Sequence, residues 1–194
     1  MATDDSRLVT ALDLDDDQYT VEQSLIRNKY AAYDSSGELV VRGKQKLFKM
    51  KEEFPFVDAD GEDVFRVEAG QILDVAGSYA VFDAETGDRV AVLDNDFSIL
   101  QDVWTVRDGD TEAVVGRITS RGAAVTLARN LIPILGPLIP HKYEITDADG
   151  AHIGRIDGQL SLRDRYRIEI DDASGVATDA VITAAMVIDA IQGN

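Results

Sequence analysis

The feature that most restricts the fold of this chain is a short pattern repeated along it. An apolar run leads into a turn that opens on Asp and closes on Gly, and a second apolar run follows. Tyr30 to Tyr33 precedes Asp34–Gly37 and Leu39–Val41; Phe56-Val57 precedes Asp58–Gly61 and Val64–Val67; Tyr79–Phe82 precedes Asp83–Gly87 and Val90–Leu93. Trp104–Val106 with Asp108-Gly109-Asp110 and Val114-Val115, Tyr143–Ile145 with Asp147–Gly150 and Ile153, and Tyr166–Ile170 with Asp171–Gly175 continue the series. Asp accepts the backbone hydrogen bonds that start a turn, and Gly adopts the positive φ that closes it. Each copy therefore reads as a β-hairpin, six hairpins giving about a dozen strands. Alternation agrees, since Tyr166, Ile168 and Ile170 take one face of a strand and Arg165, Arg167 and Glu169 the other. So many short antiparallel strands must close on themselves or stack to remove their edges.

Two segments break the rhythm. Arg129 to Pro140 is apolar but interrupted by Pro133, Pro137 and Pro140, which forbid a long helix or a central strand. A helical turn or two from Ala123 would end near Ile132. Thr178 to Gln192 reads as a helix, with Thr178 as N-cap and Asp179 in its first turn. Its apolar residues, among them Val181, Ile182, Ala185 and Ile188, wrap the whole circumference. A helix apolar all round is buried in protein or lipid, and this one is short for a bilayer, so burial in protein is expected. The fold class read from these features is mainly β, an antiparallel barrel of about twelve strands enclosing one apolar C-terminal helix. An acidic tail is expected over residues 1–19, and one barrel domain over 20–194.

Composition bounds the function. Of 194 residues, 45% are hydrophobic, enough for a sizeable core. Asp and Glu total 36 against 19 Lys and Arg, a net charge of −17. The excess is Asp and is spread over nearly every turn. That distribution fits a surface adapted to high salt, where screening removes self-repulsion, better than a face made for one basic partner. Nucleic-acid binding is disfavoured. With no cysteine, disulfides, thiolate zinc sites and cysteine nucleophiles are excluded. The N-terminus carries Asp4, Asp5, Asp13, Asp15, Asp16 and Asp17 with no apolar run, so a cytoplasmic location is expected.

The opening Ile26-Arg-Asn-Lys-Tyr30-Ala-Ala-Tyr-Asp34-Ser-Ser-Gly37, the basic Gly43-Lys-Gln-Lys-Leu-Phe-Lys49, the serial hairpins and the terminal helix, in that order, resemble the LURP-one-related family. That family is grouped with the Tubby-like C-terminal domains and the phospholipid scramblases. The resemblance spans roughly residues 20 to 192 and implies a twelve-stranded barrel around a C-terminal helix.

Chemistry-bearing residues are few. Phosphate-loop, dinucleotide, nucleophile-elbow and zinc-protease patterns are all missing, and the two histidines, His141 and His152, make no metal cluster. Asp58-Ala-Asp60-Gly61 and Asp147-Ala-Asp149-Gly150 look like the start of a calcium loop but fit hairpin turns fully. Asp171, Asp172 and Asp179 precede the terminal helix where scramblases carry an acidic segment linked to calcium, so the resemblance makes them candidate metal ligands. Lys44, Lys46, Lys49 and Lys51 are four of the six lysines, and Arg163, Arg165 and Arg167 alternate along one strand. The resemblance implies phosphoinositide binding through basic residues on a barrel exterior, which makes these seven candidate anion ligands. The plainer alternative is that they neutralise Glu52, Glu53, Asp164 and Glu169. Leu131 to Ile139 reads either as a cap on the barrel or as a wedge at a membrane interface.

The sequence thus points to a non-enzymatic binding or scaffold domain without a cofactor. The residues do not name its ligand; an anionic lipid headgroup or a phosphorylated metabolite is the expectation, with at most peripheral membrane contact. A scramblase-like lipid-handling protein and an enzyme built on an unrecognised carboxylate site are the alternatives.

Overall fold

The turns fold as their chemistry dictates in the structure, a computed structural model that describes residues 7–24, 29–43, 53–69, 77–97, 102–121, 142–159, 164–172 and 176–192. Asp58 Oδ1 accepts the N–H groups of Gly61 and Glu62 at 2.8 and 2.9 Å. Asp147 Oδ1 does the same for Asp149 and Ala151 at 2.9 and 2.8 Å. These carboxylates therefore serve as turn acceptors. Gly37, Gly61, Gly87 and Gly150 close their turns at positive φ. The fourth turn differs from expectation. Glu112, at φ 58°, takes the left-handed position, and Gly109 is there for another reason. A Cβ on Gly109 would lie 2.0 Å from Arg89 O, because its backbone crowds the neighbouring strand.

Twelve strands result: β1 (Gln18–Ser24), β2 (Lys29–Tyr33), β3 (Leu39–Gly43), β4 (Glu53–Val57), β5 (Asp63–Ala69), β6 (Ser78–Asp83), β7 (Arg89–Phe97), β8 (Asp102–Asp108), β9 (Val114–Ser120), β10 (Lys142–Asp147), β11 (His152–Gln159) and β12 (Asp164–Ile170). Each pairs antiparallel with its sequence neighbours, and β1 pairs with β12 from Gln18↔Glu169 to Gln23↔Asp164, which closes the barrel. The sixth Asp-led turn is thus not a hairpin. After β12 the chain turns into the helix α1 (Thr178–Gln192), and β12 finds its second partner in the first strand. Among the described residues β3 and β4 pair through Arg42↔Val57 and Gly43↔Phe56.

Because neighbours alternate in direction, the barrel has two distinct rims. The Asp-led turns share one, the turn rim. The strand ends flanking residues 25–28, 44–52, 70–76, 98–101, 122–141 and 160–163 share the other, the connection rim. Alternate strand residues point inward, as on β8, where Asp102, Trp104 and Val106 are buried and Val103 and Thr105 less so. Phe56 and Phe65, paired across β4 and β5, stack with centroids 4.4 Å apart.

Helix α1 runs through the middle of this lining. Every residue from Asp179 to Ile188 is buried, including Val181, Ile182, Ala185 and Ile188, and the helix shares one core cluster with the inward strand residues. A helix buried on all sides can lie only inside the barrel. No helix among the described residues is long and apolar enough to cross a membrane.

Residues 7–17, expected as part of a tail, pack on the turn rim instead. Val9 and Leu12 join the core at 0% and 3% exposure. The segment's apolar residues were hidden in the sequence by the aspartates between them. Tyr19 OH accepts the Asp16 N–H at 2.9 Å, and Asp17 O accepts the Ile170 N–H at 2.8 Å.

Candidate functional site

The expected basic sites divide between described and undescribed residues. Lys44, Lys46, Lys49, Lys51 and Arg163 lie outside the described residues, as do His141 and the Leu131 to Ile139 segment. The strand ends that flank the lysines and Arg163 stand on the connection rim. Arg165 and Arg167 are described and share the outer face of β12, as alternation requires, while Ile168 and Ile170 face inward.

On that outer wall the arginines belong to a network that the sequence did not disclose. Arg165 pairs with Glu22 of β1, and Arg167 donates to Gln18 Oε1 at 2.7 Å and lies 3.8 Å from Glu169. Glu169 also meets Arg155 of β11. Arg155 lies 3.5 Å from Asp157, which takes Arg121 at 3.2 Å and Lys142 at 3.9 Å as well. Asp157 therefore serves three cations on three strands or strand ends. Glu144, opposite Arg155 across β10 and β11, is engaged by His152. Finding this patch needed the register, because Arg121 and Lys142 come from other strands or strand ends than Arg155 and Asp157. Alternation on β11, with Gly154 and Ile156 inward and Ile153 set in the bulge before them, was the one available signal for Asp157 facing out.

The acidic candidates have other partners. Asp179, at the head of α1, is 3% exposed, and its Oδ2 accepts the N–H groups of Leu8 at 2.5 Å and Val9 at 2.6 Å. Burial pushes its carboxyl above the usual range, and those N–H donors offset only part of the rise. Asp171 Oδ2 meets His152 Nε2 at 2.9 Å, while His152 Nδ1 meets Glu144 at 3.2 Å. The Asp171 and Glu144 bonds raise the His152 pKa. Asp172 is exposed. Among the described residues no group of three His, Asp or Glu side chains is arranged to hold a metal ion.

Two further buried acids were not singled out as sites in the sequence. Asp83 supports its turn through Oδ1 and takes the Thr10 N–H at 2.6 Å on Oδ2. Burial pushes its carboxyl up, but donors from Thr86, Thr10 and Glu85 outweigh burial and hold it below the usual range. Asp102 lies inside the connection rim, where Tyr143 OH donates to its Oδ2 at 3.1 Å. Its inward phase with Trp104 was readable from the alternation of Asp102-Val-Trp104-Thr-Val106.

Geometry and sequence together can now be set beside known proteins. The LURP-one-related family profile matches residues 39–189, from β3 to the last turn but one of α1. The chain belongs to the LURP-one-related family. A crystal structure of an Arabidopsis thaliana protein superimposes on this LURP-one-related chain with a TM-score of 0.60 at 11% identity. The match covers 96% of this chain and 99% of that one. At that identity the likeness shows the shared fold. No curated protein sequence matches the chain. The opening segment and β1 and β2 precede the part matched by the family profile, although β1 is one of the two strands that close the barrel.

Proposed function

We propose that this chain is a non-catalytic binding domain whose ligand carries several phosphates and is held on the outer wall beside the connection rim. The observation that carries the reading is the sharing of Asp157 among Arg121, Lys142 and Arg155. Three cations on one carboxylate leave N–H donors in excess, in a protein whose net charge is −17. Arg165 and Arg167 extend the cationic wall across β12. The position of α1 supports an outer site, since the helix occupies the barrel interior. Lys44, Lys46, Lys49, Lys51 and Arg163 lie in segments whose flanking strand ends stand on the same rim, and the proposal includes them as further cations.

A phosphate brings several acceptor oxygens, and charge-assisted bonds to Arg and Lys are the stronger kind. Long-range attraction is opposed by the net charge, so affinity must come from direct contact. Binding should therefore favour ligands with several phosphates over one. An anionic lipid headgroup and a soluble phosphorylated metabolite both have this chemistry.

Titration with inositol hexakisphosphate and co-sedimentation with vesicles containing phosphatidylinositol bisphosphate test the reading and separate the two sources. Wild type should bind at least one. Arg121→Ala/Lys142→Ala and Lys44→Ala/Lys46→Ala should each weaken binding about tenfold or more, given about 1.5–3 kcal/mol per charged hydrogen bond. A wild type that binds neither probe, or variants that bind as well as wild type, would reduce the cations to surface neutralisation.

A further inference from the structure

The barrel lining turns polar inside the connection rim. There β7 supplies Asn95, β8 supplies Asp102 and Trp104, β9 supplies Ser120 and β10 supplies Tyr143. Most of this patch satisfies itself. Tyr143 OH donates to Asp102 Oδ2 at 3.1 Å, Asn95 Nδ2 approaches Asp102 Oδ1 at 3.4 Å, and Ser120 Oγ accepts the Asp102 N–H at 2.9 Å. Two buried atoms remain without a hydrogen-bond partner among the described residues, Trp104 Nε1 and Asn95 Oδ1. One is a donor and the other an acceptor. Their residues are directly paired across β7 and β8, so both side chains leave the same face of the sheet, with Cβ atoms about 4.5–5.5 Å apart. Trp104 is 0% exposed, and an indole N–H withdrawn from water without an acceptor is costly. On the other side of Asn95 stands Gly77, whose carbonyl accepts the Asn95 N–H at 3.1 Å and which adds no side chain there. Its φ of +94° keeps that position a glycine.

We propose that Trp104 Nε1 and Asn95 Oδ1 together hold one hydroxyl oxygen at an internal site of the connection rim. A hydroxyl serves both atoms at once, accepting from the indole and donating to the amide oxygen. An anion would meet the Asp102 carboxylate beside the Asn95 amide, and an ammonium group would leave the indole N–H without an acceptor. The chemistry is thus distinct from that of the outer wall. The oxygen belongs either to an internal water or to a small polyol, and buried waters commonly bridge such pairs.

Trp104 is the single tryptophan, so its fluorescence reports on this site alone. Emission of wild type and Asn95→Leu is recorded at fixed salt and through a glycerol titration. The bridged indole of wild type should emit to the red of the indole in Asn95→Leu. A saturable shift with glycerol, missing from Asn95→Leu, assigns the oxygen to a polyol; no saturable shift assigns it to water. Identical emission maxima for wild type and folded Asn95→Leu overturn the proposal. If Asn95→Leu does not fold, a crystal structure of wild type decides. Oxygen density within hydrogen-bonding reach of both atoms supports the site, and a carbon atom or a closed void there overturns it.

Discussion

Asp83 and Asp179 are buried carboxylates that both take backbone N–H groups from the opening segment, yet their environments push them in opposite directions. At Asp83 several donors overcome burial and the pKa falls; at Asp179 burial prevails and the pKa rises. Linkage gives opposite signs. The Asp83 contribution is fully present above the unfolded-state pKa and is lost as pH falls through the depressed folded value. The Asp179 contribution is present at low pH and is lost as pH rises through the elevated folded value. At neutral pH, Asp83→Asn should cost about 1–3 kcal/mol, because it replaces a charged acceptor of several N–H groups by an amide. Asp179→Asn should cost less, since its Oδ1 can still accept from Leu8 and Val9 and no buried charge remains. Denaturant unfolding of both variants between about pH 4 and pH 7 measures the difference. A larger loss from Asp179→Asn at neutral pH would contradict this assignment. Neither role was legible in the sequence. Asp179 reads there as a first-turn acid, and its partners at Leu8 and Val9 lie at the opposite end of the chain.

The elements were more legible than the residues that join them. Asp followed by Gly three or four residues on marked four of the turn-rim hairpins because each turn is satisfied within a few residues, and α1 stood out because its apolar positions leave no polar face. The closing β1–β12 pair, the packing of residues 7–17 and the Asp157 network depend on long-range register, which one sequence does not display. Helix α1 gives the sharpest test at this scale. Thr183 is 1% exposed and its hydroxyl has no partner among the described residues, so Thr183→Val should be neutral or stabilise by about 1 kcal/mol. Ala185, two residues on and 6% exposed, faces the same closed interior. Ala185→Asp would bury an unpaired charge at a cost of several kcal/mol and should prevent folding. Denaturant unfolding of both variants checks the pair. A folded Ala185→Asp protein of wild-type stability would mean that α1 is not enclosed.

At the scale of the whole molecule, self-repulsion competes with the ion pairs of the outer wall. The net charge of −17 is spread over the chain, while each pair is local and partly exposed. Salt weakens both, but the repulsion is the longer-ranged, with a Debye length of about 30 Å at 0.01 M and about 3 Å at 1 M. The melting temperature should therefore rise with salt over that range. A flat or falling trend would show that the ion pairs dominate. The same interior helix that anchors the fold also limits where a ligand with several phosphates can be held, and the outer-wall reading depends on its staying in place. Amide hydrogen exchange measures that directly. The amides of Val181 to Ile188 should exchange only through global unfolding, as slowly as the most protected strand amides, with and without inositol hexakisphosphate. Helix amides that exchange well ahead of the strands, or that change protection when the ligand is added, would show an interior that opens and would contradict a binding site confined to the outer wall.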